Sequence, residues 1–126
     1  MINIEKQIEY WKNSAVSDID TAGILLRNNR LLNGLFFCHL TIEKALKAHY
    51  IKTQERLAPK THNLILLADK SLLNLNDNYY KHLAILMRYQ LEGRYPDEEI
   101  LMPSNKEALI LFNETKDLLE WLMKEL

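Results

Sequence analysis

The sequence predicts an all-α protein: an antiparallel up-and-down four-helix bundle with one short extra helix, built as a single domain over residues 1–126. Three observations carry this reading. Apolar residues recur at three- and four-residue spacing along most of the chain, the period of one helical face. The strongest breakers, Pro59, Gly93, Pro96 and Pro103, fall between these periodic stretches. No run alternates in the manner of a strand, and there is neither an internal repeat nor a low-complexity tract.

A chain of 126 residues buries roughly two-thirds of its unfolded surface. It therefore needs no disulfide or structural metal, and no cofactor is expected. The single cysteine, Cys38, stands amid Leu35, Phe36 and Phe37 and reads as a small core residue. The N-terminal MINIEKQIEYW lacks a signal pattern, and no apolar run approaches the roughly 20 residues of a membrane span. A cytoplasmic protein without membrane contact is expected. The net charge of −1 argues against general attraction to nucleic acid. The distribution is uneven: Lys44 to Lys60 carries +4, whereas Glu92 to the C-terminus carries −5.

The first helix is expected from about Glu5 to Asn28, capped by Asn3, with Ile4, Ile8, Trp11, Ala15, Ala22, Leu25 and Leu26 on its inner face. Asp18 occupies an apolar slot of that stripe. Asn28 and Asn29 suit a tight turn, because Asn tolerates left-handed backbone. A short connection returns the second helix antiparallel to the first.

The second helix, Leu31 to Lys52, is apolar nearly all round, as expected at the centre of a bundle. Leu32, Phe36, His39, Glu43, Leu46 and Tyr50 share one face, and Leu35, Cys38, Ile42, Ala45 and His49 the next. The segment around Pro59 is a loop, after which Thr61 is expected to cap a short helix from His62 to Lys70. Asn74 to Asn78 reads as a turn, Tyr79 to Leu91 as the third main helix, and LEGRYPDEEILMPS as an irregular loop. Ser104, with Glu107 three residues on, forms the capping box of the last helix.

Two constellations stand out. Asp18 and His39 lie eleven and ten positions on either side of Asn29. Antiparallel packing can bring them together with Glu43 as a buried cluster that orients the histidine towards a ligand or fixes helix register. A metal site is not expected, because no further His or acid completes one at helical spacing. In the irregular loop, Arg88, Arg94 and Tyr95 offer fork-shaped donors and a phenol, suited to phosphate or to a carboxylate. Arg94 can equally pair with Asp97 or Glu98 and lock the loop.

The segments YWKNSAVSDIDTAGILL, FFCHLTIEKALKAHYI, PKTHNL and GRYPD, taken in order, resemble the HEPN domain, a small all-α module. The resemblance covers nearly the whole chain. It implies a homodimer, commonly encoded beside a minimal nucleotidyltransferase in a toxin–antitoxin pair. Several such families are metal-independent ribonucleases that use an Arg-x(4–6)-His motif. Here Gly93, Arg94 and Tyr95 follow Arg88 at that spacing, and Glu99, Ile100 and Leu101 follow Arg94. Arg56 to His62 has the spacing but spans the Pro59 loop.

The expected function is that of a nucleotide-binding HEPN module partnering a nucleotidyltransferase subunit. Its candidate nucleotide-binding residues are Asp18, His39, Glu43, Lys47, His62, Arg88, Arg94 and Tyr95. Asp18, His39 and Glu43 would floor a cleft beneath the arginine loop, with Lys47 and His62 at its rim. The alternatives are an endoribonuclease toxin, using Arg88 or Arg94 with Tyr95 or His62 as its catalytic candidates, and a structural homodimer with a degenerate site. Dimerisation has its own motive in the apolarity of the second helix and in Ile110, Phe112 and Trp121 lying off the inner face of the last.

Overall fold

The computed structural model describes residues 2–126 and contains five α-helices, with no strand among the described residues. The first, α1 (Ile4–Arg27), starts where the Asn3 side chain accepts the Lys6 backbone N–H at 3.0 Å. Asn29 takes the left-handed conformation, φ +60°, and reverses the chain in the predicted turn.

The second helix, α2 (Leu31–Gln54), packs against all four of the others. Leu35, Ile42, Leu46 and Ile51 are wholly buried, and each such side chain contributes about 1.5–3 kcal/mol relative to exposure. The apolarity of α2 is thus satisfied inside one chain and does not by itself call for a second copy. At Gly34, α2 lies close against α1. A β-carbon there would lie 2.6 Å from Leu26 Cδ2, so glycine allows the two helices to touch.

Two boundaries differ from expectation. The short helix, α3 (Leu64–Lys70), is capped by Asn63, which accepts the Leu66 N–H at 3.0 Å. Thr61 instead accepts the Asn63 N–H and shapes the turn before it. The fourth helix, α4 (Asp77–Met87), begins inside the expected turn because Asn76 caps it on Tyr79 N–H at 2.8 Å. It also stops four residues early. The Arg88 and Tyr89 N–H groups bond three residues back to Ile85 and Leu86, tightening the last turn and ending the α-helical ladder.

The last helix, α5 (Asn105–Lys124), starts at Ser104, whose hydroxyl accepts the Glu107 N–H at 3.1 Å. The Glu107 carboxylate answers by accepting the Ser104 hydroxyl proton at 3.1 Å. Of the three off-face residues of this helix, only Ile110 is exposed. Trp121 rests against Tyr79, ring centroids 5.8 Å apart, and Phe112 fills the space over Gly23.

Candidate functional site

The one-turn spacing of His39, Glu43 and Lys47 stacks three polar side chains down a buried side of α2. Glu43 is the hub. Its Oε1 accepts from His62 Nδ1–H at 2.8 Å, and its Oε2 accepts from Lys47 at 3.1 Å. The Lys47 ammonium also sits 5.1 Å above the Trp11 ring of α1, a cation–π contact that helps to hold a cation with little solvent.

His39 is fully buried, and its Nε2–H donates to the His62 carbonyl at 3.2 Å. Its Nδ1 has no hydrogen-bond partner and lies 3.8 Å from Glu43 Oε1. Burial pushes the His39 pKa below its ordinary value, and the nearby Glu43 charge opposes without reversing the shift. A neutral His39 and a salt-bridged Glu43 therefore tie α2 to the loop that precedes α3.

Asp18 does not join this cluster. It pairs with Lys44 at 2.7 Å, and Lys44 also donates to Ser14 at 2.8 Å. The equal spacing about Asn29 matches height along the helices but ignores azimuth. Lys44 and His39 are five residues apart, so they point about 140° away from one another around α2. The lysine side chain also leans towards the helix N-terminus, which carries its amine down to Asp18.

The arginine loop divides its two arginines by task. Arg94 donates from Nε to the Gln90 carbonyl and from Nη2 to the Arg88 carbonyl at 2.8 Å, with Glu98 3.7 Å from Nη1. Its fork thus closes the turn just after α4, aided by Gly93 at φ +74°. Arg88 is exposed, and no carboxylate among the described residues lies within 4.0 Å of its guanidinium. It borders a hollow of about 340 Å³ together with Tyr89, Arg94, Glu99, Ile100 and Leu101.

The expected cleft, floored by Asp18, His39 and Glu43, is therefore not the hollow that the arginines border. Neither those three residues nor Lys47 and His62 line it. Tyr95 points to solvent, 71% exposed. What connects the two regions is His62: its Nε2 lies 3.6 Å from Glu92 of the loop, while its Nδ1 holds Glu43. No group of three His, Cys, Asp or Glu side chains among the described residues is placed to hold a metal ion. Among the described residues, no helix is long and apolar enough to cross a membrane.

Several participants escaped the sequence reading. Trp11 and Lys44 were visible only as a core aromatic and a surface charge, and Glu92 only as one acid of many. His82 lies between Tyr79 and Leu86 on α4, where three- and four-residue spacing marks it as buried. Its Nε2 lies 2.8 Å from Thr115 Oγ1 of α5, a partner that the spacing does not indicate.

This all-α bundle, with a polar cluster inside its central helix and an arginine turn before the last, defines a HEPN-type fold. The chain belongs to the HEPN domain family, whose model matches residues 8–126. Its structure is similar to the crystal structure of TT1696 from Thermus thermophilus, with a TM-score of 0.80 over 95% of this chain and 98% of that one. At 17% identity that likeness speaks to the fold alone. No curated protein matches the sequence.

Proposed function

We propose that this HEPN-domain protein acts in the cytoplasm as a homodimer that binds nucleotide or RNA phosphate at the Arg88 hollow and partners a minimal nucleotidyltransferase subunit. The observation that carries the binding is the unpaired Arg88 fork beside a concave surface. A guanidinium there offers paired donors to phosphate without first giving up a carboxylate. Ile100 and Leu101 supply an apolar wall for a base, and Glu99 can accept from a ribose hydroxyl or an exocyclic amine. Arg94 serves by holding the loop in shape.

The dimer is supported by apolar side chains that α5 and the loop before it leave in solvent. Leu101, Met102, Leu109 and Ile110 are all exposed there, Leu101 at 87%. Beside them, a hollow of about 450 Å³ between α1 and α5 is bordered by Leu26, Leu31, Leu109 and Phe112.

Isothermal titration with ATP, GTP and a short single-stranded RNA tests the binding. Wild type is expected to bind, and Arg88→Ala to weaken binding by about tenfold or more. No binding at millimolar ligand by the folded protein would overturn it. The contact between His62 and Glu92 favours a second reading, a metal-independent endoribonuclease that draws its histidine from the α2–α3 loop. In that case expression should arrest growth, and His62→Gln should relieve the arrest.

A further inference from the structure

Arg88 is not the only free donor at its hollow. Tyr89, the next residue, borders the same space. The N–H groups of the two residues bond three positions back, to Ile85 at 3.1 Å and Leu86 at 2.9 Å, so the pair sits on a tightened turn. With about three residues per revolution, neighbours on such a turn splay about 120° apart. The Arg88 side chain reaches solvent, whereas the Tyr89 ring enters the core and is 8% exposed.

Packing fixes the ring but leaves its hydroxyl over. Among the described residues that hydroxyl makes no hydrogen bond, in contrast to Tyr80, whose hydroxyl donates to Asp69. Its oxygen is not sealed in: it keeps accessible surface, and the hollow is the space Tyr89 borders. Burial pushes the Tyr89 pKa above the ordinary phenol value; the Arg88 charge opposes this and the Glu107 charge adds to it. The hydroxyl therefore keeps its proton at neutral pH and meets an anion as a donor.

Charge limits which anion fits. From Arg88 to Ile100 the chain carries two arginines against Glu92, Asp97, Glu98 and Glu99. The Arg94 charge is met by Glu98 at 3.7 Å, and Glu99 borders the hollow itself. A triphosphate would set several unmatched negative charges against these acids, whereas one phosphate group matches the one guanidinium left over. At about 340 Å³ the hollow also stands at the small end of ligand pockets, roughly 300–1,000 Å³.

On the reading that Arg88 binds phosphate, we propose that the hollow takes a single phosphate group, to which the Arg88 fork and the Tyr89 hydroxyl donate together. The group is that of a nucleoside monophosphate or one phosphodiester of a chain. Arg88 supplies the charge, and Tyr89, anchored in the core, supplies a donor whose position does not wander.

Isothermal titration of the full chain in EDTA with AMP, the dinucleotide ApA and ATP tests this. AMP or ApA should bind about fivefold or more tighter than ATP, and the tighter of the two identifies the source of the phosphate. Tyr89→Phe removes only the oxygen; it should weaken that ligand by about tenfold and melt within a few degrees of wild type. Tyr10→Phe, exposed on α1, should bind as wild type does. ATP binding as tightly as AMP and ApA, or a Tyr89→Phe variant with unchanged affinity, would overturn the proposal while phosphate binding at Arg88 stands. No binding of any of the three by wild type would overturn both.

Discussion

Glu43 and His62 meet at 2.8 Å across nineteen residues of sequence, and through that bond the central helix holds the loop that follows it. The same carboxylate holds Lys47 from its other oxygen. The link therefore has a structural consequence whatever the protein binds: a nearly buried ammonium depends on one side chain for its counter-charge.

Replacing that side chain should be costly in proportion to what is left unpaired. Glu43→Gln keeps the shape but removes the charge and is expected to lose about 1–3 kcal/mol. Glu43→Leu strands Lys47 and should lose about 3–5 kcal/mol, and adding Lys47→Met should recover much of that loss. Urea unfolding of these three variants and of Lys47→Met alone measures this. Additive losses in the double variant would show that the two side chains do not act as a pair.

Acid should destabilise the fold before its carboxylates titrate. Burial lowers the pKa of His39, His49 and His82, each against opposing attractions. Because the folded pKa lies below the unfolded one, the unfolded chain takes up protons first as pH falls through about 6.5. Stability is thus complete above that value and declines below it, by up to about 1.4 kcal/mol per pH unit for each histidine. Unfolding midpoints at pH 7.5, 6.5 and 5.5 should fall in that order. A flat profile would mean that the three rings are free to protonate in the folded state.

The two arginines of the loop should separate cleanly. Arg88→Ala is expected to leave stability within about 0.5 kcal/mol, as for other exposed substitutions, while weakening phosphate binding. Arg94→Ala releases the Arg88 and Gln90 carbonyls and should speed amide exchange across the 88–100 segment. Exchange mass spectrometry of both variants provides the comparison.

The close approach at Gly34 predicts a steric effect with a built-in rescue. Gly34→Ala drives a methyl into Leu26 and should cost about 1–3 kcal/mol. Shortening that neighbour with Leu26→Ala in the same chain removes both contacting carbons and should return part of the loss, read from thermal melts. No gain on shortening would place the strain elsewhere.

Association is the remaining expectation. At micromolar concentration wild type should sediment as twice 14.9 kDa, and Leu109→Lys with Ile110→Lys should halve that mass. A 14.9 kDa species in wild type would leave the exposed apolar row without its proposed occupant.

What the sequence determined by itself is whatever depends on neighbours a few residues away. Apolar periodicity located all five helices, Asn3 and Ser104 marked two of their starts, and the all-round apolarity of Leu31 to Lys52 put that helix at the centre. Local signals competed at Thr61 against Asn63 and at the end of α4, and there the boundaries shifted. The tertiary structure alone decided partners: Lys44 rather than His39 for Asp18, His62 and Lys47 for Glu43, the Arg88 and Gln90 carbonyls for Arg94. Spacing along the chain fixes height on a helix, but the angle around it, the lean of each side chain and the path of the loops select which groups meet.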